Sequence, residues 1–227
     1  MTEIVVVVEG RTEQRFVNDV LSPYLGSKDV HVRARLLGET GHKGGNIGPQ
    51  RLLKDITGLL RQRRDLVCST MFDFYGLPGD FPGKSEVRAG MSSQQKALCI
   101  ENGLADRLCS EMSVGFVPAR FLPYVQMHEF EALLFSAPSV LFESLPPWGA
   151  PADAFAVISE EYATPEEIND RRDCSPSHRI LKANPRYDKA SHGPAVAERI
   201  GLDCMRRECP HFNAWVTALE RLGQNKV

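Results

Sequence analysis

Residues Ile4–Val8 form an unbroken β-branched run that stops at Glu9-Gly10. With no polar alternation, such a run predicts a strand buried on both faces, hence central and parallel. Phe16, Val17, Val20, Leu21 and Tyr24 then recur at helical spacing, with Thr12 placed to cap the helix and Pro23 limiting it. Val30, Val32, Ala34 and Leu36 alternate with His31, Arg33 and Arg35. That predicts a strand with one apolar and one basic face, nearer an edge. Glycine-rich residues 38–48 read as a loop. Leu52, Leu53, Ile56, Leu59 and Leu60 mark an amphipathic helix, and Arg61, Arg63 and Arg64 suit the dipole of its last turn.

Leu66–Phe72 is the third strand and ends at Asp73. Residues 76–93 predict a long surface loop, of a length that is usually functional or mobile. Gln94–Met112 predicts a helix with a weak point at Gly103. Phe116–Val125 is a fourth strand disturbed by Pro118 and Pro123, and Glu129–Phe135 reads as helical. The alternation predicts an α/β, Rossmann-like domain over 1–149, with a mainly parallel four-stranded sheet flanked by helices. After Pro146-Pro147 the pattern changes to helix signals without a clear strand. Residues 150–227 read as a helical extension packed on that domain. Its apolar positions, Val196, Ile200, Phe212, Trp215, Val216 and Leu219, are too few to close a core alone.

Composition narrows the classes. The chain has 227 residues, 42% hydrophobic and 25% charged, which excludes disorder, collagen and coiled coil as whole-chain readings. The net charge is −2, and neither 1–150 nor 151–227 carries an excess of one sign. That excludes a generic basic coat for nucleic acid and leaves room for a local basic groove. No apolar run approaches the ~20 residues of a membrane helix. No signal peptide opens the chain, since Glu9 cuts the Val5–Val8 run short. The six cysteines are expected as reduced thiols in the cytoplasm.

Ligands of open parallel sheets bind at the carboxyl ends of the strands. Three of the four strands lead there into acids. The first gives Glu9, with Glu13 one turn later; the third gives Asp73; the fourth leads to His128-Glu129-Phe130-Glu131. Crowded carboxylates repel, and a hard divalent cation removes that cost. Two such ions can clamp the attacking and leaving oxygens of a phosphoryl displacement. The same acids also suit helix starts, where the dipole favours negative charge.

Val8-Glu9-Gly10-Arg11-Thr12-Glu13 resembles the first motif of Toprim domains. Asp73-Phe74-Tyr75-Gly76 stands where their Asp-x-Asp motif is expected, with Tyr75 in place of the second Asp. Together with His128-Glu129-x-Glu131, Tyr187-Asp188-Lys189-x-x-His192-Gly193-Pro194 and Cys209-Pro210-x-Phe212-x-x-Trp215, nearly the whole chain is similar to Toprim-like bacterial proteins of the DUF4276 family. The resemblance implies metal-dependent cutting or joining of nucleic acid. The Glu9/Glu13 spacing is similar to the Glu-x-x-x-Glu pair of the overcoming-lysogenization-defect (OLD) nucleases. A topoisomerase or primase needs further domains, which leaves a nuclease, in defence or mobile-element biology. The resemblance implies Glu9, Glu13, Asp73, Glu129 and Glu131 as ligands of Mg²⁺ (or Mn²⁺). Glu129 or Glu131 would fill the position that Tyr75 leaves. Glu9 and Lys189 are the expected catalytic pair, with Lys189 neutralising phosphate charge.

Arg11 and Arg15 flank the acids and suit phosphates; His128 suits a ligand, a base or a helix cap. Cys204, Cys209 and His211 lack the spacing of a zinc pair, and only Cys174 or His178 would complete such a site. Gly83-Lys84-Ser85 is not a P-loop, because Pro78 stands at the first glycine position, and Gly41–Gly48 fails the same pattern. The expected partners are nucleic acid, DNA rather than RNA, and a separately encoded ATPase, with self-association open. A second reading is a catalytically inactive Toprim-like module that binds such an ATPase. Tyr75 favours that reading, and the crowded Glu9, Glu13 and Asp73 favour the nuclease.

Overall fold

The computed structural model describes residues 2–37, 48–112, 117–168 and 174–224. The glycine-rich segment up to residue 47 lies outside them, as does Phe116. Strand β1 (Thr2–Val8) runs parallel to β2 (Val30–Leu36) on one side and to β3 (Leu66–Asp73) on the other. Strands β4 (Phe121–Leu122) and β5 (Val125–Gln126) both pair parallel with β3, so the molecule is α/β with a five-stranded sheet. The β-branched run of β1 explains its central place. Ile4, Val6 and Val8 face one apolar cluster while Val5 and Val7 face the other.

After β1 the chain coils through α1 (Arg11–Arg15), a π-helical turn (Phe16–Leu21) and α2 (Ser22–Gly26). Helices α3 (Pro49–Gln62) and α4 (Ser93–Glu111) supply the cluster over Val5 and Val7. Five more helices follow the sheet: α5 (Pro138–Ser144), α6 (Ala154–Glu160), α7 (Pro176–Ala183), α8 (Lys189–Ile200) and α9 (Leu202–Glu208). With α10 (Pro210–Gln224) they join the π-helical turn and α2 in the cluster over Ile4, Val6 and Val8. Trp215 of α10 stacks on Tyr124 at 4.2 Å, and its indole N–H donates to Ser69 Oγ of β3 at 2.9 Å. Among the described residues no helix is long and apolar enough to cross a membrane.

Five local expectations are corrected. The fourth strand is two short pieces split at Pro123, which has no N–H for a ladder. Side chains of β3 bridge the gap: Ser69 Oγ donates to Leu122 O at 2.6 Å, and Thr70 Oγ1 accepts from Tyr124 N and donates to Tyr124 O, both at 2.9 Å. Thr12 does not cap α1; Gly10 does, because Glu13 reaches back to the Gly10 N–H at 3.0 Å. Pro23 does not end the helical path. The i→i−5 bond from Ser22 N to Val17 O closes a wider turn, and Pro23 enters α2 at a first-turn position that needs no N–H. Gly103 lies inside an unbroken α4, where a Cβ would sit 2.4 Å from Gly83 N. The glycine permits close approach of the 76–92 segment rather than weakening the helix. The Glu129–Phe135 helix is a 3₁₀ run, Phe130–Ser136.

Candidate functional site

The carboxyl ends of β1 and β3 lie side by side because the two strands pair in register, Val8 beside Met71. The residues that leave those ends therefore meet. Glu9, Gly10, Thr12 and Glu13 enter from the β1 side; Asp73, Tyr75 and Gly76 enter from the β3 side. With Glu129 and Lys189 they line a pocket of about 360 Å³. Glu131 is not on the lining; it is fully buried and pairs with Lys189.

Lys189 is the cation of this cluster. Its Nζ lies 3.0 Å from Asp73 Oδ2 and 2.9 Å from Glu131 Oε2. Asp73 is further held by the Phe130 N–H, 2.8 Å from Oδ1. Tyr187 O–H donates to Glu131 Oε1 at 3.1 Å, and Ser177 N–H at the start of α7 donates to Glu129 Oε2 at 2.9 Å. Lys189 begins α8, whose cap Asp188 accepts from Ser191 N at 2.8 Å. Close packing seats that helix: a Cβ on Gly193 would lie 3.1 Å from Tyr187 OH and 3.3 Å from Thr12 Cγ2.

Among the described residues, five carboxylates thus gather around one ammonium. Burial pushes Glu13 up to about 8, with Asp73 adding to the push and Lys189 opposing it. Glu9 rises to about 7 by burial and by Asp73. Glu131 rises to about 7 by burial, although Lys189 holds it down. Asp73 is also raised by burial against the pull of Lys189. Burial alone would depress Lys189, but Asp73, Glu131 and Glu13 outweigh it and hold the ammonium protonated. Such a pocket is short of positive charge. Among the described residues no three acids, histidines or cysteines already converge as a ligand shell.

The other candidate residues lie elsewhere or at the rim. Tyr75 is 40% exposed at the rim. His128 is buried behind it at φ 30°, with its carbonyl accepting from Tyr75 N at 3.0 Å and its Nε2 3.4 Å from Ser93 Oγ. The lining of the pocket includes neither His128 nor the arginines Arg11 and Arg15. Arg11 is exposed; Arg15 pairs with Asp19 at 3.7 Å and donates to Ala190 O at 3.1 Å. Among the described residues the zinc candidates form no ligand group. Cys204 Sγ and Cys209 Sγ each approach Ser136, and His211 Nε2 sits 2.9 Å from Glu101. Cys174 and His178 line a different hollow.

Sequence patterns do not single out Tyr187, Ser177 or Gly76 as parts of the site. Tyr187 lies two residues before Lys189 in a motif segment, but nothing local shows its bond to Glu131. Gly76 packs against Glu9: a Cβ there would lie 3.5 Å from Glu9 Oε2, an ordinary contact. Neither curated proteins nor solved structures give a match to the chain. Residues 8–220 match the family described as a domain of unknown function (DUF4276), and the chain belongs to that family.

Proposed function

We infer that the pocket binds Mg²⁺ or Mn²⁺ and cleaves phosphodiester bonds of nucleic acid, in the manner of Toprim-type nucleases. One observation carries the reading: among the described residues four carboxylates line a pocket with one ammonium, a fifth, Glu131, pairs with that ammonium, and three of the five are raised to about 7 or 8. Carboxylate oxygens in surplus over cations suit a hard divalent ion. Glu9, Glu13 and Asp73 would hold it, with Glu129, on the same lining as Tyr75, filling the position that Tyr75 leaves. Glu131 lies under Lys189 and Tyr187 and orients them. A bound ion would supply Lewis-acid stabilisation of the phosphoryl oxygens and a water of lowered pKa.

The chain's own groups divide the remaining work. The half-buried Glu9 lines the pocket beside Gly76, where a phosphate can enter. Lys189 keeps its proton over the working pH range and offers it to the non-bridging oxygens. Asp73 holds that ammonium in place at 3.0 Å.

The test is cleavage of plasmid and single-stranded DNA, with an RNA control, in Mg²⁺ or Mn²⁺. Wild type should cut only with metal, and Glu9→Gln and Asp73→Asn should each lower the rate at least about a hundredfold, as expected when electrostatic stabilisation at the reacting group is removed. Metal binding without any cleavage would favour the inactive, ATPase-binding reading that Tyr75 at the rim supports.

A further inference from the structure

Away from the acidic pocket, two adjoining hollows of about 540 and 370 Å³ share Trp148, Gly149, Ala150 and Ala183. Trp148 is 47% exposed, whereas the only other tryptophan, Trp215, is 4% exposed in the core. An indole left half in water is an unfilled contact surface. The Arg186 guanidinium lies 4.6 Å over its ring. The facing wall is α7, which contributes His178, Arg179 and Lys182. Arg179 is held in place by donating to Cys174 O at 2.8 Å and Tyr162 OH at 2.6 Å, and Glu161 approaches it at 3.8 Å. Glu143 is the acid on the lining. Among the described residues the lining therefore sets Arg179 and Lys182 against Glu143, a balance opposite in sign to that of the acidic pocket.

We propose that the groove between Trp148 and α7 binds a single-stranded segment of nucleic acid, stacking a base on Trp148 and seating its phosphates on Lys182, Arg186 and Arg179. An aromatic face between cations suits unpaired bases, because the π face of a base in a duplex is covered by its neighbours. The connection to the acidic pocket rests on the nuclease reading; the binding itself does not. Helix α7 makes that connection. Its Ser177 N–H is bound to Glu129 of the pocket, and its eight residues rise ~12 Å along the groove.

The experiment is fluorescence anisotropy of a short labelled oligothymidylate with the full chain in EDTA, so that no cleavage intervenes. Trp148→Ala should weaken binding by about tenfold or more, because one base no longer stacks. Lys182→Glu should weaken binding and lower the slope of log affinity against log salt by roughly 0.7 for each phosphate that is no longer neutralised. Wild-type tryptophan emission should be quenched by the oligonucleotide, and that quench should vanish in Trp148→Ala. Both side chains are exposed, so thermal melts of the variants should match wild type. No binding by wild type, or binding within twofold of it in both variants, would overturn the proposal. Binding without any metal-dependent cleavage would overturn the nuclease reading alone. Cleavage of single strands with binding unchanged in both variants would overturn the groove alone.

Discussion

Glu13 is 4% exposed and carries the most raised pKa of the acids at the strand ends that have a stated value, about 8. Glu9 and Glu131 follow at about 7, from an ordinary value of 4.5. Without metal, the folded chain retains protons that the unfolded chain loses between pH 4.5 and 8. Stability is then full below about pH 4.5 with respect to these groups, and falls as pH rises through 7 to 8. Each retained proton contributes a slope of up to ~1.4 kcal/mol per pH unit. Urea melts in EDTA at pH 5.5 and 8 should show this fall, and Glu13→Gln should flatten it. Lys189→Met leaves Asp73 and Glu131 without their cation. It should cost ~3–5 kcal/mol at pH 8, and less at pH 5.5 where the acids protonate; an equal cost at both values would contradict the electrostatic account. Glu9, Glu13 and Asp73 are legible in sequence because each lies at or just after the end of a strand. The contacts of Tyr187 with Glu131 and Ser177 with Glu129 join residues far apart in sequence, so no local pattern announces them.

Among the elements, those with a long uninterrupted period are legible to within a residue or two: β1, β2, β3 and α4. The segment from Phe116 is not, because Ser69 and Thr70 side chains replace ladder bonds there, and hydropathy does not report such substitution. Gly103 is a second case. Helix propensity favours Ala by ~1 kcal/mol. A Cβ at 2.4 Å from Gly83 N would instead push backbone against backbone, so Gly103→Ala should destabilise by ~1–3 kcal/mol in chemical melts. A stabilised Gly103→Ala protein would show that the 76–92 segment yields easily. Trp215→Ala removes the stack on Tyr124 and the bond to Ser69, and should cost ~3–5 kcal/mol.

At the scale of the molecule, residues from both sides of position 150 share one apolar cluster. Val6 and Val8 of β1 belong to it with Val196, Phe212 and Val216. Glu101 of α4 reinforces the union: its Oε1 accepts from Val125 N at 2.9 Å and lies 2.9 Å from His211 Nε2 of α10. Far-ultraviolet and near-ultraviolet melts should therefore coincide in one transition; two separated transitions would show that the helices fold apart from the sheet. The same union carries Lys189 of α8 to the acids of β1 and β3, and on this rests the view of the pocket as a divalent-cation site. The most direct test is calorimetric titration of Mn²⁺ into wild type, Glu9→Gln and Asp73→Asn at pH 7 in two buffers of different ionisation heat. Wild type should bind with release of protons, because Glu9, Glu13 and Glu131 are raised to about 7 or 8, and either substitution should weaken binding at least about tenfold. Absence of Mn²⁺ binding in wild type, or equal binding in the variants, would contradict the account.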